Sequence, residues 1–272
     1  MSVEGNASTR IGLIPAAGTA SRLSPLSCSK EIYPIGFDRD RGTTIVACSG
    51  LLEGLREADV ETAFCVLREG KWDIPAYLRD GTPFGIRLAY LINRVPYGVP
   101  YTLRQAFPFL RGATVCVGFP DILFQPRNAF RRLLERQEDT DAALVLGLFP
   151  ASDPHTADMV DRDDGGRVRA VHVKPADSPL RYAWVLAVWM PPMTTFIDAY
   201  LSRAGEGRGG RPARKDAIRR EDELYLGTVF QRAIDAGLHV EAVTFEDGWY
   251  VDIGTPGGLG RAFSGEFQSS LT

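Results

Sequence analysis

An α/β fold, a mostly parallel (mixed) sheet sandwiched by helices, is what this sequence predicts, and three observations predict it. Short apolar runs alternate with helical patterns through roughly the first 155 residues, the rhythm of strands joined by crossover helices. The runs are continuous rather than alternately apolar and polar, as in strands buried on both faces. The first of them, Ile11–Ala16, stops in the small residues Ala17-Gly18-Thr19-Ala20-Ser21, as a buried strand does when it feeds a loop.

Taken in order, Ile11–Ala16 reads as a strand and Thr43–Leu55, apolar near helical spacing, as a helix. Val60–Leu67 is a second strand and Trp72–Leu78 a short helix, followed by a strand over Ile86–Ile92 and a helix over Tyr101–Leu110. Ala113–Phe119 is a buried strand, Asn128–Arg136 a helix with a charged outer face, and Ala142–Phe149 a further strand. The pattern then changes. Met159–Arg162 and Arg167–Val173 flank Asp163-Asp164-Gly165-Gly166, a hairpin signal. Tyr182–Trp189 reads as a strand, and Pro191 opens a helix through Leu201. Ala204–Lys215, rich in Gly and Arg, has no packing face and reads as an exposed loop. A helix over Glu223–Ala236, strands over His239–Phe245 and Gly248–Ile253, and a helix over Pro256–Phe263 close the chain. There is no internal repeat or strong linker, so residues 1–272 read as one domain with an antiparallel or mixed subregion after about residue 155.

Composition narrows the function classes. Lys plus Arg number 31 against 34 Asp plus Glu, a formal charge of −3, which gives no electrostatic footprint for duplex nucleic acid. The stretch Arg203–Arg220 holds six Arg and one Lys, but it has no interleaved aromatics and Glu206 and Asp216 dilute it. No apolar run approaches the roughly 20 residues of a membrane span. The opening MSVEGNASTR lacks the apolar core of a secretory signal. Cys28, Cys48, Cys65 and Cys116 form no C-x-x-C pair and read as reduced thiols in a cytoplasmic protein. His155, His172 and His239 are scattered, which argues against a histidine-based metal centre or triad.

Chemistry concentrates in Ile11–Gly36. The strand runs into Ala16, Ala17 and Gly18, whose small side chains let backbone N–H groups approach an anion or a flat base. Arg22 can clamp phosphate oxygens with its planar fork, and Lys30 adds a second positive charge. Open α/β sheets bind ligands at this strand end. The bland alternative is a flexible loop with two solvated cations. A Walker A loop would need G-x-x-x-x-G-K-[ST] and a dinucleotide fingerprint G-x-G-x-x-G, and the segment has neither.

The segment resembles the motif of the sugar-1-phosphate nucleotidyltransferases (NDP-sugar pyrophosphorylases), A-[AG]-G-x-G-T-R-[LM]-x-P-x-T followed by P-K and L-P-[IV]. Ala16, Ala17, Gly18, Arg22, Leu23, Pro25, Lys30, Pro34 and Ile35 match, while Ala20, Ser21 and Ser29 depart from it. The opening and the Lys30-Glu31 pair are similar to the UTP–glucose-1-phosphate branch, and Leu23–Leu26 to the thymidylyl branch.

Four further stretches follow in the family's order. Asn93 to Gly98, running into Thr102–Ala106, resembles the stretch in which a glutamine reads the base edge; Asn93 offers the same amide on a shorter stem. Asp121 ends an apolar strand, where a carboxylate is expensive unless it meets a cation or a donor. It resembles the family's first metal aspartate; a turn-capping Asp is the alternative. Trp249–Pro256 resembles the D-[IT]-G-T-P string of the second metal aspartate, here Asp252, and Thr255-Pro256 also reads as the start of a helix. Lys174-Pro175 is similar to the E-K-P that binds the sugar 1-phosphate, with Val173 in place of the glutamate that would bond a sugar hydroxyl. Tyr182–Leu186 stands where the family often has a polar residue and a glycine close to the sugar ring, and Leu186 there is expected to narrow or de-polarise the acceptor pocket.

The resemblance implies a Rossmann-like nucleotidyltransferase fold, with a nucleotide-binding part over about 8–155 and an acceptor-binding and second-metal part over about 156–265. It implies a transferase that joins a nucleoside triphosphate, dTTP or UTP, to a sugar 1-phosphate or similar phosphorylated acceptor and releases pyrophosphate. Arg22, Lys30 and Lys174 would be the catalytic cations; Ala16, Ala17, Gly18, Asn93 and Gly98 would contact the nucleotide; Asp121 and Asp252 would hold Mg2+. Val173 and Leu186 point to an acceptor less rich in hydroxyls than glucose. The partners are then small molecules, with no nucleic acid and no membrane, and a homo-oligomer is left open. The alternative is a relative that binds nucleotide or nucleotide sugar as a sensor without turnover.

Overall fold

The computed structural model describes residues 9–40, 42–94, 97–206 and 223–264. The chain forms β1 (Arg10–Ala16), then a hairpin of β2 (Pro34–Asp38) and β3 (Thr43–Val46), α1 (Ser49–Glu57), β4 (Thr62–Arg68), α2 (Asp73–Leu78), β5 (Arg87–Asn93) and α3 (Val99–Arg104). β6 (Thr114–Val117), β7 (Ile122–Gln125), α4 (Ala129–Thr140), β8 (Leu144–Pro150), β9 (Met159–Arg162) and β10 (Val168–His172) follow. β11 (Tyr182–Trp189), α5 (Pro191–Glu206), α6 (Leu226–Asp235), β12 (Val240–Thr244), β13 (Trp249–Asp252) and α7 (Pro256–Ala262) complete it.

Nine strands form the main sheet, in the order β10-β9-β11-β6-β1-β4-β5, with β8 and β12 added along β11. The predicted α/β class holds: β6, β1, β4 and β5 are mutually parallel, and β12 runs parallel to β8. β11 enters antiparallel between β6 and β8, and β9 with β10 forms the predicted hairpin. Alternation along β1 explains why both faces need cover. Leu13 packs into one core with Val115, Val117 and Trp189, whereas Ile14 packs into the other with Leu51, Leu67 and Cys116.

Some boundaries differ from the sequence expectation. Thr43–Val46 is not helical: this β-branched run pairs antiparallel with Pro34–Asp38, and the helix starts at Ser49. The helix expected over Tyr101–Leu110 gives way to a 3-10 turn at Phe107–Phe109, because Pro108 has no N–H to continue it. Ala204–Glu206 belong to α5 rather than to a loop, and the rest of the Ala204–Lys215 stretch lies outside the described residues. The strand Ile122–Gln125, hidden inside a longer apolar run, pairs antiparallel with Trp249–Asp252 away from the main sheet.

Cys48, Cys65 and Cys116 are buried, and all four cysteines are free thiols. Burial pushes the Cys48 and Cys116 thiols up to about 12 and raises the Cys65 thiol as well, which disfavours the thiolate. Among the described residues, no helix is long and apolar enough to cross a membrane.

Candidate active site

β1 lies in the middle of the parallel strands and delivers buried Ala16, then Ala17 and exposed Gly18, to the sheet's C-terminal edge. The loop that follows turns at Ala20, which adopts φ +52°, and the Leu23 amide donates to the Ala20 carbonyl at 2.9 Å. This is the position where the motif's glycine is replaced, and its backbone sits in the left-handed region that glycine favours. Asp73 fixes the far end of the loop, accepting from the Ser29 amide at 2.6 Å and the Ser29 hydroxyl at 2.8 Å. Against the upward push of burial, those bonds hold the Asp73 carboxyl below its ordinary value. Ser29 is thus locked immediately before the 3-10 turn Lys30–Ile32, which presents Lys30.

The β7–β13 ladder brings the two distant aspartates together. Ile122 is the register partner of Asp252, and the Ile253 amide donates to the Asp121 carbonyl at 3.0 Å. Lys30 forms an ion pair with Asp121, and the Gly254 amide donates to Asp252 Oδ1 at 2.7 Å. Gly254 lies at the junction: a Cβ there would stand 2.8 Å from Asp252 Oδ1, 3.1 Å from Lys30 Nζ and 3.2 Å from Asp121 Oδ2. Gly18 borders the same ammonium, with Lys30 Nζ 3.8 Å from where its Cβ would be.

The electrostatics follow from this crowding. Burial lowers the proton affinity of Lys30, but the charge and hydrogen bond of Asp121 override it, so the ammonium is held above its ordinary value. Asp252 is pushed up, first by burial and then by the charge of Asp121, with Gly254, Lys30 and Arg22 pulling the other way. Arg22 is exposed and close enough for its charge to act on Asp252. Two half-buried carboxylates with hard oxygen donors, one of them disfavoured as an anion by the other, are a pair that a divalent cation would relieve.

The other expected residues lie elsewhere. Lys174, just past β10, is exposed at φ +42°, with its ammonium 4.0 Å from the Tyr225 ring centroid. Among the described residues it forms no ion pair with either aspartate. Asn93 ends β5 buried, and its Nδ2 donates to Thr102 Oγ1 at 2.9 Å, which ties the strand end to the first turn of α3. Gly98 has φ +109°, and a Cβ there would meet the Leu224 carbonyl oxygen at 2.2 Å; only glycine fits. Leu186 corrects an expectation. It is 1% exposed and lies in the core with Phe130 and Leu133, so it does not line an acceptor pocket. The register shift between Trp184 and Leu186 turns Val185 and Leu186 to the same core and leaves Trp184 on the opposite face.

Sequence reading missed three groups here. Lys71 is buried and bonded at 2.5 Å to the buried Glu31, next to Lys30 in the chain. Burial pushes the Glu31 carboxyl up and the Lys71 ammonium down, each partly countered by the other. Arg68 Nε donates to the Gly18 carbonyl at 3.4 Å. Asp158, before β9, accepts from the Trp184 indole at 3.2 Å. The Lys30-Glu31 dipeptide carried a signal for the first of these; nothing in the sequence shows that Lys71 is inside.

The chain matches the nucleotidyl transferase family over residues 11–268. A glucose-1-phosphate thymidylyltransferase of Actinoplanes sp. is 29% identical over 178 residues, 63% of this chain and 55% of that protein. The low-salt glycan biosynthesis nucleotidyltransferase Agl11 of Haloferax volcanii is 23% identical over 249 residues, 90% of this chain and 62% of that protein. The chain therefore spans only 55% and 62% of the lengths of these two relatives. The solved structure of an inositol-1-phosphate CTP transferase from T. maritima shares the fold, with a TM-score of 0.70 at 20% identity, covering 97% of this chain and 96% of that one.

Proposed function

The chain belongs to the nucleotidyl transferase family, and from that premise we propose that it joins a nucleoside triphosphate, dTTP or UTP, to a sugar 1-phosphate or a similar phosphorylated acceptor. The observation that carries this reading is the convergence of Asp121 and Asp252 around Gly254, beside Lys30, at the strand end where an α/β sheet binds its ligand. A phosphate oxygen of the acceptor attacks the α-phosphorus in line, and pyrophosphate leaves with its bonding pair. No protein nucleophile is required by this in-line transfer.

The task left to the protein is to gather polyanions and neutralise charge on moving oxygens. Ala16, Ala17 and Gly18 offer close backbone approach to base and ribose, with Asn93 and Gly98 behind them. Arg22, free at the surface, neutralises the departing pyrophosphate. Lys30, paired with Asp121 and bordering Gly18, presents its ammonium to the triphosphate. Lys174 holds the acceptor's phosphate. Asp121 and Asp252 fit magnesium by donor type; they would hold the ion, and it would supply charge neutralisation to the reacting phosphates.

Val173, beside Lys174, keeps its aliphatic side chain against α6, within 3.2 Å of where a Cβ on Gly227 would lie. It supports an acceptor whose moiety beyond the phosphate is less hydroxylated than glucose. The test is pyrophosphate release across four nucleoside triphosphates and a panel of phosphorylated acceptors with magnesium. Turnover with a thymidine or uridine triphosphate is expected. Nucleotide binding without pyrophosphate release from any pair would overturn it in favour of a sensor.

A further inference from the structure

Asp158 is a buried carboxylate that the reaction scheme above leaves unused. Its Oδ2 accepts the Trp184 indole N–H at 3.2 Å, while Oδ1 is buried without a hydrogen-bond partner. The backbone amides of Lys174 and Gly227 face the carboxylate, and the charge of Lys174 acts on it. Burial nevertheless pushes the carboxyl above its ordinary value. The first turn of α6 closes the site: a Cβ on Gly227 would lie 2.3 Å from Asp158 Oδ2.

Stability does not account for this residue. A carboxylate buried with only partial pairing is costly, and an apolar side chain would avoid the cost. Lys174 carries its own cost, since φ +42° is strained for any residue with a Cβ. The two costs meet at one place, where the carboxylate faces the strained residue's amide. Val173, the chain neighbour of Lys174, offers no carboxylate; Asp158 brings one from the start of another strand.

We propose that Asp158 is the positioning residue of the acceptor site: it holds the Lys174 turn through the backbone and aims the Lys174 ammonium at the acceptor's phosphate. This rests on the reading of Lys174 as the phosphate-holding cation. Trp184, pinned to Oδ2, keeps the carboxylate from rotating away, and the Tyr225 face supports the ammonium from the other element that closes the site.

The test compares wild type, D158N, K174A and the double variant, with glucose 1-phosphate and dTTP as substrates and inorganic phosphate as a binding probe. D158N keeps the size and the indole bond and removes the charge. It is expected to raise KM for glucose 1-phosphate about tenfold while KM for dTTP and kcat stay within about twofold. Because Asp158 acts through Lys174, D158N should add little to K174A. Unchanged acceptor KM in D158N, or effects that multiply in the double variant, would overturn the proposal. If wild type releases no pyrophosphate, the transferase reading fails by itself. The proposal is then decided by phosphate affinity and by hydrogen exchange at the Lys174 amide. D158N must weaken the first and speed the second, and no change in either would sink it.

Discussion

Lys30 is ion-paired with Asp121 and leaves Asp252, the other carboxylate at Gly254, with the Gly254 amide as its hydrogen-bond donor. The two aspartates are therefore not equivalent. Asp121 has a cation at hand, and Asp252 bears the repulsion, with its carboxyl pushed above the ordinary range by burial and by Asp121.

Replacing either carboxylate by its amide removes half of the proposed cation site without changing side-chain volume. Asp121→Asn and Asp252→Asn are each expected to lose on the order of 10²–10³ in kcat with magnesium present, read by pyrophosphate release. Full turnover in either variant would remove that residue from the metal assignment.

The raised Asp252 carboxyl also makes a statement about stability. A folded-state value above the unfolded one means the native protein binds more protons, so this group's contribution falls as pH rises from near 4 through the folded value. With chelator present, the midpoint of thermal unfolding for wild type minus Asp252→Asn should decline across that window and stay low at neutral pH. Magnesium should reverse the difference. A pH-independent difference would show that the repulsion is absent.

Ala20 at φ +52° predicts a stabilising change at the loop itself. Ala20→Gly relieves about 1–2 kcal/mol of left-handed strain and costs about 0.5–1 kcal/mol in unfolded-chain entropy. A net gain of about 0.5–1 kcal/mol in urea unfolding is expected. A loss would mean that the alanine methyl is packed.

The Glu31–Lys71 pair should respond asymmetrically. Lys71→Met leaves Glu31 buried and unpaired and is expected to cost about 3–5 kcal/mol in urea unfolding, while Lys71→Met with Glu31→Leu recovers most of it. Equal loss in single and double variants would mean that packing, not charge, sets the cost.

What the sequence made legible follows from what is local. Ile11–Ala16 and Tyr182–Trp189 are strands in the structure because continuous apolar runs need cover on both faces, and that pattern survives in one dimension. Asp121 stood out because a carboxylate at the end of an apolar strand calls for a partner. That its neighbour is Asp252 depends on the β7–β13 ladder, whose first strand is four residues long and merges in sequence with the strand before it. Leu186 was placed near the acceptor by its resemblance to the family's sugar-facing segment, and the register shift after Trp184 turns it into the core instead. Lys71 and Asp158 were invisible because burial of an ionisable side chain is decided by segments far away in the chain.

The short ribbon of Ile122–Gln125 and Trp249–Asp252 has a consequence for how the molecule comes into being. Its two halves are made at very different moments of synthesis, and the second is followed in the described chain only by the turn and helix at Gly254–Ser264. A nascent polypeptide that has already laid down the loop after β1, Lys30 and Asp121 still lacks the opposing acid, and its first acid has no ladder to hold it. The proposed cation site is thus complete only once Trp249–Asp252 has paired with Ile122–Gln125.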